Sequence, residues 1–317
     1  KILALQFTLK MLVDAFWATF LVAFTIFLVC RGIWIKTPTL LMFAAAYGKH
    51  LPDRIIDVIP IFFVPKSWFK VFYVIGSLWS AALFYSCLSV CLGSDETSNS
   101  KILALGKWLI RFPELTHDAE PATATMTSVS SSDALVCVGL MFLQTSRRLY
   151  EELFVMHPSP RAKMQTYVFV YGAVFYVFAQ LVMIEGSPFA LDAPVSCPSV
   201  PTLSLVRYVI ATVLFAWASY HQHMCHRILG SLRKPGDTKY YVPHGDWFDY
   251  SSSAHYTAEL VIYLAFGMLV GAHPSWWLVF GVAFTSLTYV SLNTHQYYKD
   301  KFDNYPASRA AIFPFVL

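Results

Sequence analysis

Apolar residues fall in long runs along this chain, and polar residues gather between them. A helix that crosses a bilayer needs about 20 mostly apolar residues. Seven stretches fit that requirement: 8 to 30, 71 to 92, 134 to 156, 165 to 184, 203 to 222, 256 to 272 and 274 to 293. The third is interrupted, because its apolar part, Ala134 to Leu143, runs into Arg147 and Arg148. Only the tight turn AHPSW separates the sixth from the seventh.

If the seven alternate in direction, the connections after the first, third, fifth and seventh share one side of the membrane. They hold Arg31, Lys36, Lys49, Arg54, Lys66 and Lys70, then Arg147, Arg148, Arg161 and Lys163. The later ones add Arg227, Arg233, Lys234, Lys239, Lys299, Lys301 and Arg309. The connection from 185 to 202 and the turn at 273 hold no Lys or Arg. The positive-inside rule then predicts an all-α integral membrane protein with seven transmembrane helices and a cytoplasmic C-terminus. Residues 1–317 are expected to form a single membrane domain. The Ser/Thr/Ala-rich segment 94–133 is expected to be a mobile lumenal loop between spans 2 and 3.

Composition agrees with this. The chain is 56% hydrophobic and 13% charged, against about 25% charged in soluble domains. A net charge of +4 is too small to indicate a nucleic-acid partner. The chain opens on Lys1 rather than Met, so its natural start is expected upstream. Six cysteines without a CxxC, mostly within or beside apolar runs, are expected to be buried free thiols.

Charge inside or beside a span is costly and marks function. Four clusters qualify: QTSRRLYEE (144 to 152), SYHQHMCHRILGSLRKPGD (219 to 237), SSSAHYTAE (251 to 259) and NTHQYYKDKFDNYPASR (293 to 309). Glu259 lies one turn inside the sixth span, three residues from Tyr256 and on the same helical face; His295 and Tyr298 are related in the same way. His221, His223, Cys225 and His226 have the chemistry of metal ligands, but their spacing does not put all three imidazoles on one helical face. Arg227, Arg233 and Lys234 also fit a bland role as interfacial anchors. Neither GxGxxG nor GxxxxGK[ST] is present, so side chains and loops must hold any nucleotide. A dinucleotide's negative charges suit a mouth ringed by Arg and Lys. Composition alone does not separate a reductase from a methyltransferase, a receptor or a transporter.

Several stretches resemble the steroid 5α-reductase family, in its polyprenal (polyprenol) reductase branch. They are YGKH (47 to 50), VPKSWF (64 to 69), SRRLYE (146 to 151), HQHMCHRILGSLRKPGD (221 to 237), VPHGDWFDYSSSAHYTAE (242 to 259) and HQYYKDKFDNYPASRAAIFPFVL (295 to 317). The resemblance implies a seven-helix enzyme of the endoplasmic reticulum membrane. Such an enzyme uses NADPH to reduce a double bond conjugated to a carbonyl, with its active site facing the cytoplasm. The implied cofactor contacts are Arg148, Gln222, His226, Arg233, Lys234, His255, Glu259, Tyr298 and Arg309. Among these, Glu259 receives the nicotinamide carboxamide, while Arg233 and Lys234 take phosphates.

The departures from the steroid enzymes favour the lipid branch. Their Gln-Glu pair that grips the steroid ketone aligns with Val71 and Phe72, and their ketone-binding Tyr aligns with Thr145. The implied reaction, within dolichol synthesis and so in support of protein N-glycosylation, converts polyprenal, a polyisoprenoid lipid, to dolichal. His295 is expected as the donor or positioning residue, supported by Tyr298. A steroid or other enoyl reductase of the same fold, or an isoprenoid-directed membrane methyltransferase, is the alternative.

Overall fold

The computed structural model describes Val22 and residues 63–93, 100–111, 129–159, 162–190, 195, 197, 202–232 and 239–314. The first expected span, 8 to 30, lies outside the described residues. Among those described are seven α-helices: α1 Phe69–Cys91, α2 Lys101–Arg111, α3 Ser131–Phe154, α4 Thr166–Glu185, α5 Thr202–Ser231, α6 Ala254–Val270 and α7 Pro274–Lys301. Six of them occupy the expected spans 2 to 7. Three are long and apolar enough to cross a membrane: Lys66–Cys91, Thr166–Glu185 and Pro274–Lys301. The apolar α6 is shorter, at 17 residues. α3 and α5 carry the chain's densest polar groups in their C-terminal halves. Among the described helices, the bilayer-crossing pattern is therefore legible by length and composition in three.

Local chemistry sets the helix ends. Ser130 caps α3 by accepting from the Asp133 N–H at 3.0 Å. α6 stops at Gly271, whose φ of 76° suits a residue without Cβ. Three residues later, Pro274 opens α7 at a position where its missing N–H costs nothing. α5 continues past residue 222 to Ser231 and α7 past 293 to Lys301, beyond the expected span ends. The polar clusters expected to close these spans thereby become ordered helical faces. α5 packs along α6, and α1 along α3 and α4.

One end of the bundle gathers the start of α1, the end of α3, the starts of α4 and α6, and the ends of α5 and α7. A two-stranded antiparallel pair, β1 Phe63–Pro65 and β2 Lys163–Gln165, ties α1 to α4 there, with Val64 opposite Met164. On α5, Leu205, Val206, Val209, Ile210, Val213 and Trp217 stay exposed, an apolar stripe suited to lipid.

Two expectations are corrected. The segment 94–133 is not a loop throughout: KILALGKWLIR forms α2, whose Leu103 is buried. Gly106 packs against Leu181 and Ile184 of α4. The Ser/Thr bias that suggests a loop belongs to the residues on either side of α2, whereas α2 itself has an apolar side to bury. The cysteines are also not all free. Cys91 at the end of α1 and Cys197 beyond α4 form a disulfide, because the up-and-down path returns both to the same end of the bundle. Cys87, Cys137 and Cys225 are free and buried; Cys30 lies outside the described residues.

Candidate active site

A cavity of about 420 Å³ opens at the end of the bundle that carries the β pair. One part of its wall is polar, with Arg148 from α3, Gln222 and His226 from α5, and His255 and Glu259 from α6. Another part is apolar, with Phe69 and Phe72 from α1 and Gly172 and Phe175 from α4. Tyr298 of α7 and the loop residues Tyr240 and Tyr241 also line it.

The polar wall is one connected network. On α3, Gln144, Arg148 and Glu151 recur at four- and three-residue steps and so share a face. Gln222 and His226 on α5, and His255 and Glu259 on α6, repeat the four-residue step. Gln222 Nε2 and Gln144 Nε2 both donate to Glu259 Oε2, the latter at 3.3 Å. The carboxylate keeps acceptor capacity for a further amide. Gln144 Nε2 also donates to Gln222 Oε1 at 3.0 Å, and Arg147 donates to the Oε1 atoms of both glutamines.

Glu151 is the hub of the second half. Its carboxylate has no exposed surface and accepts from both Arg147 and Arg148. His223 Nδ1 lies 2.8 Å from Oε1 and His226 Nδ1 2.7 Å from Oε2. Arg148 also reaches His226 Nδ1 at 2.7 Å, Glu152 at 3.0 Å and the Tyr73 hydroxyl at 3.1 Å. The buried Arg148 and the partly exposed Arg147 are thus both held by the buried Glu151 carboxylate, the arrangement that makes buried charge tolerable.

Of the residues implied by resemblance, Arg148, Gln222, His226, His255, Glu259 and Tyr298 come together in the cavity wall. Arg233 and Lys234 lie outside the described residues. His295 is not among the lining residues; its Nδ1 is 2.6 Å from Ser252 Oγ, and Ser252 does line the cavity. Arg309 is also away from the wall and is 4% exposed. It donates to the Pro243 carbonyl at 2.8 Å and reaches His244 Nδ1 at 2.9 Å. Ala310 pairs in parallel with Ser251, so the C-terminal tail and the loop before α6 clasp each other. His221 parts from His223 and His226, pairing with Asp246 at 2.7 Å and stacking on Trp247.

Thr145 is buried, its hydroxyl donated to the Met141 carbonyl at 3.0 Å; Phe72 lines the apolar wall. Gln144, Arg147, Glu151, Tyr73, Tyr176 and Ser252 were given no site role by sequence, although all but the two tyrosines lie in its polar clusters. The signal for the first three was the heptad-like spacing inside QTSRRLYEE. Tyr73 and Tyr176 sit in uniformly apolar helices and gave none.

The cavity combines a preformed amide and carboxylate acceptor, a buried cationic centre and an apolar wall. It can bind a polar head with an amide and hold a hydrocarbon chain beside it.

A family profile described as 3-oxo-5-alpha-steroid 4-dehydrogenase matches residues 195–317. Polyprenal reductase 2 of Arabidopsis thaliana is 34% identical over 293 residues, covering 80% of this chain and 83% of the relative. The polyprenal reductase of Mus musculus is 32% identical over 281 residues, covering 85% and 84%. That of Homo sapiens is 31% identical over 264 residues, covering 80% and 78%.

Proposed function

This chain belongs to the 3-oxo-5-alpha-steroid 4-dehydrogenase family, in its polyprenal reductase branch, and we propose that it reduces the α-isoprene double bond of polyprenal to give dolichal. The observation that carries this reading is a single cavity joining the Glu259 network to an apolar wall. A nicotinamide needs an acceptor for its carboxamide N–H groups, and Glu259, oriented by Gln222 and Gln144, meets that need. The donor set therefore fits NADPH.

When bound, NADPH supplies a hydride. Glu259 and Gln222 would hold the carboxamide. Arg148 and His226 would set the charge of the site, and Arg233 and Lys234 would take phosphates. His295 is a positioning residue in this reading, acting through Ser252 on the loop that clasps the C-terminal tail. Ser252 and Tyr298 close the wall and keep bulk water from the reacting carbons. The apolar wall takes the first isoprene units, and the rest of the tail extends into the bilayer. The cavity end faces the cytoplasm of the endoplasmic reticulum. The Cys91–Cys197 disulfide at the opposite end suits an oxidising lumen.

The test is to incubate detergent-purified protein with a short polyprenal and either NADPH or NADH, and to analyse products by mass spectrometry. We expect a gain of two hydrogens at the α-isoprene unit with NADPH. Glu259→Ala should lower kcat/KM by about 100-fold or more, as expected when a charged binding hydrogen bond of about 3 kcal/mol is lost. The family profile's description favours a second reading, a steroid 3-oxo-4-ene substrate. Reduction of that enone with polyprenal untouched would replace the lipid reading.

A further inference from the structure

Two buried tyrosines stand where the polar and apolar parts of the cavity meet, and the network above leaves them a proton to give. Tyr73 comes from α1, beside Phe69 and Phe72; Tyr176 comes from α4, beside Gly172 and Phe175. All six line the cavity. The two phenol rings are 5.3 Å apart, centroid to centroid. Arg148 Nη2 donates to the Tyr73 hydroxyl at 3.1 Å, and the guanidinium lies 4.8 Å from the ring centre.

A phenol that accepts from a guanidinium must donate its own proton elsewhere, because Arg148 has no acceptor to offer. The cation polarises that O–H and strengthens it as a donor. Gln222 belongs with Glu259 to the carboxamide site, Arg148 is held by Glu151 and Glu152, and Ser252 donates to the Ala310 carbonyl. Tyr73 and Tyr176 share a wall with Phe72 and Phe175, so a ligand whose hydrocarbon lies along those rings brings its oxygen to these hydroxyls.

We propose that Tyr73, polarised by Arg148 and backed by Tyr176, donates the hydrogen bond to the carbonyl oxygen of the substrate. This role rests on the reading of the site as an enal reductase. In the reaction a hydride adds to the β carbon, with the reduced nicotinamide as its source and oxidised in the exchange. The C=C electron pair moves to join the α carbon and the carbonyl carbon, and the carbonyl pair moves onto oxygen. Tyr73 holds that enolate oxygen by donation, without giving up its proton. A proton from water then reaches the α carbon, the aldehyde re-forms, and the product has gained one hydride and one proton. A donor aimed at the developing oxyanion stabilises the transition state more than the neutral enal.

Tyr73→Phe keeps the ring and removes the hydroxyl. The first readout needs no turnover: cofactor-free protein is mixed with a short α,β-unsaturated isoprenoid aldehyde, and the enal absorption band is recorded. Wild type should shift the band to longer wavelength on binding. Tyr73→Phe should bind the aldehyde without that shift. In steady state with NADPH, Tyr73→Phe should lower kcat by about 10²–10³-fold with KM changed less than about threefold, the pattern of an interaction made in the transition state. Tyr176→Phe leaves the Arg148 bond intact and should lower kcat about tenfold, so the role stays testable if Tyr73→Phe fails to fold. Wild type that reduces the aldehyde while both variants keep the band shift and kcat within threefold overturns the role of Tyr73 alone. Wild type that neither binds nor reduces the aldehyde overturns this role together with the reading beneath it.

Discussion

Glu151 is fully buried, yet it touches no cavity surface: its partners are Arg147, Arg148, His223 and His226. Its work is to neutralise two guanidiniums so that one of them, Arg148, can face a ligand. Removing one partner of a buried pair leaves uncompensated charge, at about 3 kcal/mol or more. Glu151→Gln is therefore expected to lower Tm in detergent clearly, and to weaken NADPH binding measured by calorimetry. Unchanged stability and binding would mean that Glu152 alone suffices for Arg148. Arg309 teaches the reverse lesson. A conspicuous basic residue near the C-terminus is, in the fold, a clamp on the Pro243 carbonyl and His244.

At the scale of elements, the close crossing of α5 over the end of α3 decides how the polar faces meet. Gly230 permits it: a Cβ there would stand 2.1 Å from the Val155 carbonyl oxygen. That oxygen is backbone and cannot rotate away, so any side chain pushes the helices apart. Gly230→Ala is expected to destabilise by about 1–3 kcal/mol and to displace His223 and His226 from Glu151. A thermal melt in detergent and NADPH titration read the two effects, and a variant as stable as wild type would show that the crossing is looser than its geometry. The continuation of α5 and α7 past the expected span ends belongs to the same scale. Both carry their polar residues onto ordered helix faces, where four-residue spacing aligns Gln222 with His226 and His255 with Glu259.

Across the whole molecule, the bundle has two unlike ends. One carries the cavity, the β pair and the clasp between the C-terminal tail and the loop before α6. The other carries the Cys91–Cys197 disulfide and the ion pair between Arg207 and Asp133, which tie α1, α3 and α5 to the segment after α4. The disulfide closes a loop of sequence separation 106, and its loss is expected to lower stability by about 2–4 kcal/mol. Peptide mapping without reductant should recover a Cys91–Cys197 crosslink, and Cys197→Ser should melt earlier than wild type. Recovery of both cysteines as free thiols would undo the assignment.

Much of this architecture was legible along the chain. Runs of apolar residues mark helices because a backbone in lipid must satisfy its own hydrogen bonds, and the spacing within QTSRRLYEE and SSSAHYTAE aligns side chains through covalent geometry alone. The charge asymmetry of the loops and the family motifs came from the sequence as well. Which faces meet was decided only in the tertiary structure. Glu151 joins α3 to α5, Gln144 and Gln222 converge on Glu259, and Tyr73 finds Arg148, across sequence separations of 37 to 115 residues. No local pattern encodes such pairs, because they depend on which helix packs beside which and at what height. For the same reason the sequence showed Cys91 and Cys197 only as two apolar-flanked thiols, and Tyr73 only as one aromatic among many in an apolar helix.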